Sequence, residues 1–207
     1  MKRLLFYILI SSLFNSCTKI LDLGNEPDKQ YHITNDISKL ANFKTGSIWI
    51  YHNDSLNLND TVSEIVYKMS QVSDHFDGHI NYSDKINITY KSSYCDSTIY
   101  DELNAIYGID YLRVYNIGYK KHSKNIILEF IEIYDQGNSK YFSNIANIKY
   151  LYNFDLNGML FDTVVCYTSN VQKNKYYFAF NTGIIKKTNI ENSKIIEWNL
   201  IKYNLIK

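Results

Sequence analysis

Along most of this chain apolar residues recur at every second position, and that period decides its fold class. From Gly46 onward, Ile48, Ile50 and His52 fall on one face of a strand and Trp49 and Tyr51 on the other. The stretch 61–72 repeats the pattern with Ile65, Tyr67 and Met69, and 85–91 with Ile86, Ile88 and Tyr90. Residues 125–135 are apolar on both faces, as a central strand is. Four further runs, 145–154, 161–168, 175–181 and 195–206, read as strands, with Gly158 and Gly183 in the turns between them. Polar stretches at 53–60 and 74–78 read as a turn and a loop.

Tyr107, Tyr111, Tyr115 and Tyr119 recur every four residues, which suits one strand face or one helical stripe. Gly108, Gly118, Val114 and Ile117 favour the strand. The stretch 98–107 is ambiguous: Ile99, Leu103 and Ile106 fit a helical face and its Asp-Glu-Leu-Asn-Ala core favours a short helix. Twenty tyrosines and ten phenylalanines against a single proline suit pleated, half-buried surfaces. The expectation is an all-β domain: one antiparallel sheet, curled or barrel-like, of about nine or ten strands with at most one short helix. No period of 20–50 residues recurs, which argues against a propeller or solenoid.

The first residues read as an address. Lys2 and Arg3 form a basic start, and residues 4–14 are an apolar core about half as long as a membrane span needs. Ser16 then precedes Cys17. The run Leu13-Phe14-Asn15-Ser16-Cys17 resembles a lipobox, which implies cleavage before Cys17 and acylation of that cysteine. Thr18 follows instead of an aspartate, which favours the outer membrane over inner-membrane retention. The organisation expected is a signal peptide over 1–16, a lipidated cysteine and tether over 17–40, and one β domain over 41–207. Within the tether, residues 36–40 allow a short helical turn capped by Thr34 or Asn35. The 22 basic residues include Lys2 and Arg3, so cleavage leaves 20 against 21 acidic ones. A chain this near neutrality carries no global electrostatic case for nucleic acid.

With Cys17 assigned to the anchor, Cys95 and Cys166 remain. An oxidising envelope permits a bridge between them, which the chain-entropy model values at about 4 kcal/mol, and two separate buried thiols are the alternative. Nucleophile elbows, phosphate loops and zinc-binding motifs are not found, so neither a catalytic residue, a metal nor a cofactor is assigned. The densest ligand cluster, Asp74, His75, Asp77 and His79, and a calcium-like spacing at Asn53, Ser55, Asn57 and Glu64 rank below ordinary solvated loops. Ser55 and Thr61 sit in Asp-Ser/Thr-aliphatic triplets that resemble O-glycosylation acceptors of Bacteroidetes. The tyrosine row at 107–119 offers flat, amphipathic contacts for a glycan or a protein, against cross-strand packing within the sheet. Trp49 and Trp198 stand near the two ends of the domain, placed to pack together and close the sheet.

Several runs are similar to Bacteroidetes-type lipoproteins of unknown activity. They are Phe43-Lys44-Thr45-Gly46-Ser47-Ile48-Trp49-Ile50-Tyr51, the hairpin from Asn157 to Val165, and the ending Gly183-Ile184-Ile185-Lys186-Lys187 followed by Trp198-Asn199-Leu200-Ile201-Lys202-Tyr203. The resemblance implies a curled antiparallel sheet on a lipid anchor and brings no catalytic residues with it. The functional expectation is a lipid-anchored outer-membrane lipoprotein acting as a non-enzymatic binding or accessory module, with the membrane and an envelope protein or glycan as partners. The alternatives are a structural or assembly protein of the outer membrane and a hydrolase without a motif.

Overall fold

The computed structural model describes residues 29–206, apart from 42, 77–78, 107–108, 121–125, 136–140, 171–172 and 192–193. Among these residues the chain forms thirteen strands and one helix. In chain order they are β1 (Gln30–Tyr31), α1 (Asn35–Ala41), β2 (Ile48–Asn53), β3 (Leu58–Phe76), β4 (His79–Ser92), β5 (Cys95–Ile106) and β6 (Ile109–Lys120). There follow β7 (Ile126–Asp135), β8 (Tyr141–Phe142), β9 (Ala146–Leu156), β10 (Met159–Ser169), β11 (Lys175–Ala179), β12 (Gly183–Glu191) and β13 (Lys194–Asn204).

Neighbours along the chain are neighbours in the sheet, since β2 to β8 and β9 to β13 each run as an antiparallel meander. The two meanders join through β2 and β13, with Tyr51 opposite Leu200 and Trp49 opposite Tyr203. Pairing of these sequence-distant strands curls the sheet into a nearly closed barrel. The remaining seam lies between β8 and β9. There the Tyr141 ring stacks on Tyr150, and the Tyr141 backbone N–H donates to the Tyr150 hydroxyl. Strand β1 adds in parallel to β4 at Tyr82 and Ser83.

The expected all-β, curled antiparallel architecture is the observed one, with more strands than anticipated. The short strands β1 and β8 and the strands β5 and β12 were not expected, and three local differences are informative. Residues 98–107 are not helical: Ile99, Asp101, Leu103 and Ala105 alternate inward along β5, and pairing with β4 and β6 on both sides overrides helix propensity. The polar stretch 74–78, expected as a loop, continues β3 to Phe76, because β4 pairs with it as far as His79. Gly183–Glu191 is a further strand, β12; Gly183 sits at its first position with φ +86°.

Helix α1 explains how the interior is filled. Thr34 caps it, its carbonyl accepting the Ser38 N–H, and Ser38 Oγ donates back to the Asn35 carbonyl. Ile37, Leu40 and Ala41 are buried, and α1 packs against β5, β6 and β7 on one side and β12 on the other, so it lies within the curl. Its carbonyls are tied to the wall: Tyr141 Oη donates to the Asp36 carbonyl at 2.7 Å and the Asn181 N–H to that of Lys39 at 2.6 Å. The domain therefore includes residues 30–41, most of the second half of the stretch expected as tether. Phe43 and Trp49 continue the plug, edge to face at 5.2 Å, and Trp49 Nε1 donates to the Thr182 carbonyl at 2.7 Å. Trp49 meets Tyr90 on its other side, whereas Trp198 packs on Tyr94. The tryptophans thus take separate partners, and strand pairing closes the sheet instead.

Candidate functional site: interior carboxylates and the open edge of β3

Two features stand out once the register is known. The first is a polar cluster on the inner face. Alternation places Tyr51 of β2, Glu64 of β3, Tyr90 of β4 and Asp101 of β5 on the side that carries Ile88, Leu103 and Leu200. Glu64 lies opposite Tyr90, and Asp101 opposite Ile88, one pair further along the sheet. Glu64 is 2% exposed and Asp101 7%. The Tyr90 hydroxyl donates to the Asp101 carboxylate, while the Tyr51 hydroxyl donates to the Ile184 carbonyl at 2.7 Å. Among the described residues, both carboxylate oxygens of Glu64, and Oδ1 of Asp101, have no hydrogen-bond partner.

Burial without compensating donors disfavours a charge. Desolvation raises the Glu64 carboxyl to about 8, with a smaller contribution from repulsion by Asp101. It raises Asp101 to about 7, against the lowering effect of the Tyr90 hydrogen bond. Tyr51 and Tyr90 are pushed well above the ordinary phenol value by the same burial and by the neighbouring carboxylates. Chemically, the cluster binds and releases protons near neutrality inside an enclosed interior. Among the described residues, no three His, Cys, Asp or Glu side chains are placed to hold a metal ion.

The second feature is an edge. Strand β2 accompanies β3 only to Glu64, where the Gly46 N–H donates to the Glu64 carbonyl and the Glu64 N–H to that of Ser47. Beyond it, after a bulge at Ile65, Val66–Phe76 pair with β4 on one side and with no strand on the other, among the described residues. Ile65, Val66, Met69 and Val72 lie exposed along this edge, Met69 at 59%. Unpaired backbone groups beside apolar side chains form a template for another strand.

Most residues singled out in the sequence fall elsewhere. Tyr111 is buried: its hydroxyl donates to Glu102 at 2.9 Å, and the Arg113 guanidinium, paired with Glu132 at 2.8 Å, lies over its ring at 4.4 Å. It packs across strands, against Glu102, Arg113 and Tyr134. Tyr107 and Cys17 lie outside the described residues, as do the side chains of Tyr115, Tyr119, Cys95 and residues 74–79. Cys166 is a free, buried thiol on β10, in register with Lys149 and Tyr177, and it is not bridged to Cys95. The calcium-like spacing does not converge, because Asn53 Oδ1 is taken by Ser55 Oγ and the Leu56 N–H in a tight turn while Glu64 points inward from β3. Ser55 is exposed in that turn, and Thr61 is half-buried opposite Ile50.

Neither feature stands out in the sequence by motif. The available signal is charge out of place at one of the two carboxylates: Asp101 interrupts the row Ile99, Leu103, Ala105, whereas Glu64 stands in a mixed row with Asp60 and Val62 and gives no such signal. Comparison with known proteins adds nothing to this geometry, since no family model, no curated protein and no solved structure matches the chain.

Proposed function

We propose that this protein is a lipid-anchored lipoprotein of the cell envelope whose β domain works by binding a partner rather than by turning over a substrate. Lys2-Arg3, the short apolar core and Ser16-Cys17 support the anchor, and a multiply acylated Cys17 holds the chain at the outer membrane. The observation that carries the binding half is the open, apolar edge of β3. Such an edge is a liability that soluble proteins cover or charge, and its retention fits a surface that a partner covers.

The experiment is photocrosslinking in intact cells from a photoreactive residue at Val66, with a second placed at exposed Lys175 on β11 as control. A discrete adduct from position 66 and none from 175 is the expected result. No adduct from 66, or the same smear from both, overturns the binding reading.

A further inference from the structure

We infer that Asn157–Gly158, at the tip of the β9–β10 hairpin, is a site of self-modification: an asparagine deamidation that the folded turn holds shut and that opening of the turn releases.

Of the 8 glycines in the chain, only Gly158 follows an asparagine. An asparagine loses its side-chain amide when the next backbone nitrogen, stripped of its proton by base, attacks its own Cγ. A glycine leaves that nitrogen unhindered, because it has no Cβ. A bond forms from Gly158 N to Asn157 Cγ, the Cγ–Nδ2 bond breaks, and ammonia leaves a five-membered imide behind. Water then opens the imide at either carbonyl, giving aspartate or isoaspartate at position 157 with no change of oxidation state. Both residues are exposed, and nothing lies within 4 Å of the place a Cβ would take on Gly158, so base and water reach the turn.

The folded hairpin opposes the first step twice. Leu156 pairs with Met159, so Asn157 and Gly158 alone make the turn, with φ +55° and +82°. Both are left-handed, as the type I′ turn of a two-residue hairpin requires. At the ψ of the left-handed well the Gly158 nitrogen stands nearly anti to Asn157 Cβ about the Cα–C bond, whereas ring closure needs the two eclipsed. Rotating that bond breaks the pairing of Leu156 with Met159. The Gly158 N–H also donates to Asp155 Oδ1 at 2.8 Å, and a carboxylate on this proton opposes its removal. An unfolded chain has neither restraint. Isoaspartate adds a backbone atom to a turn built for two residues, so a hairpin that opens long enough to react does not re-form with the same turn.

The test follows position 157 by peptide mass mapping of the purified full chain, with aspartate and isoaspartate products separated by chromatography, at one pH in buffer and in unfolding urea. In urea, position 157 is expected to convert before any other asparagine. In buffer it is expected to convert at least about tenfold more slowly, because the turn must open first. Asp155→Ala, a substitution at an exposed position, is expected to speed conversion in buffer by roughly tenfold, the worth of one hydrogen bond to a charged group, and to leave the rate in urea unchanged. Its urea midpoint checks that it is folded in buffer. Equal rates for the parent in buffer and urea, or earlier conversion of another asparagine in urea, overturns the proposal. So does an Asp155→Ala chain that reacts no faster than the parent in buffer, or that gains as much in urea.

Discussion

Replacing Asp101 by asparagine should make the domain more stable at pH 8 and reduce, without abolishing, its loss of stability between pH 5 and 8. Glu64 and Asp101 hold their protons more tightly folded than unfolded, so folding takes up protons. Stability is then full below the unfolded values and falls as pH rises, from 4.5 to about 8 for Glu64 and from 3.8 to about 7 for Asp101. At about 1.4 kcal/mol per pKa unit, either carboxyl removes on the order of 3 kcal/mol between pH 5 and pH 8. The asparagine side chain would keep an acceptor for the Tyr90 hydroxyl while removing both the charge at this position and the repulsion it exerts on Glu64. The assay is urea unfolding of the purified chain at the two pH values, followed by tryptophan fluorescence, since Trp49 packs directly on Tyr90. With a slope of about 2 kcal/mol per molar urea, the parent midpoint should fall by roughly 1.5 M or more from pH 5 to pH 8. The variant should lose roughly half of that fall, the desolvated Glu64 carboxyl supplying the rest. A parent midpoint that is flat or rises with pH, or a variant with the parent's dependence, would refute the placement of these carboxyls in a desolvated interior.

Two further substitutions probe the plug. Leu40→Ala removes a fully buried side chain of α1 and should destabilise by about 2–5 kcal/mol, read as a lowered urea midpoint, with Ser38→Ala on the same helix changing little. Gly183→Ala should cost about 1–3 kcal/mol, because φ is +86° and a Cβ there would stand 3.0 Å from Phe43 Cε2; Gly158→Ala, with a similar φ but open space around it, should cost less. Equal effects at the two glycines would count against Phe43 as part of the plug.

How much was legible depended on whether one strand sufficed to show the pattern. Alternation at 48–52 correctly separated inward Trp49 from outward Ile48, and the glycines at 158 and 183 marked real changes of direction with positive φ. The stretch 98–107 was misleading because Asp-Glu-Leu-Asn-Ala has genuine helix propensity, and only pairing with two neighbours makes it a strand. Strand β12 was hidden by adjacent Ile184 and Ile185, which break alternation beside a bulge at Tyr177/Phe178. Nothing local states register, so neither the free thiol at Cys166 nor the enclosure of Glu64 and Asp101 could be read in advance. The open edge arises from a mismatch of lengths between β2, six residues, and β3, nineteen, which becomes visible only when the strands are laid side by side.

Anchoring is the claim on which the cellular role rests, and the mass of the N-terminal peptide from chain extracted out of membranes tests it most directly. A mature chain that begins at Cys17 and carries the added mass of fatty acyl groups is the predicted result. A chain that retains residues 1–16, or that begins at position 17 with an unmodified cysteine, would contradict it.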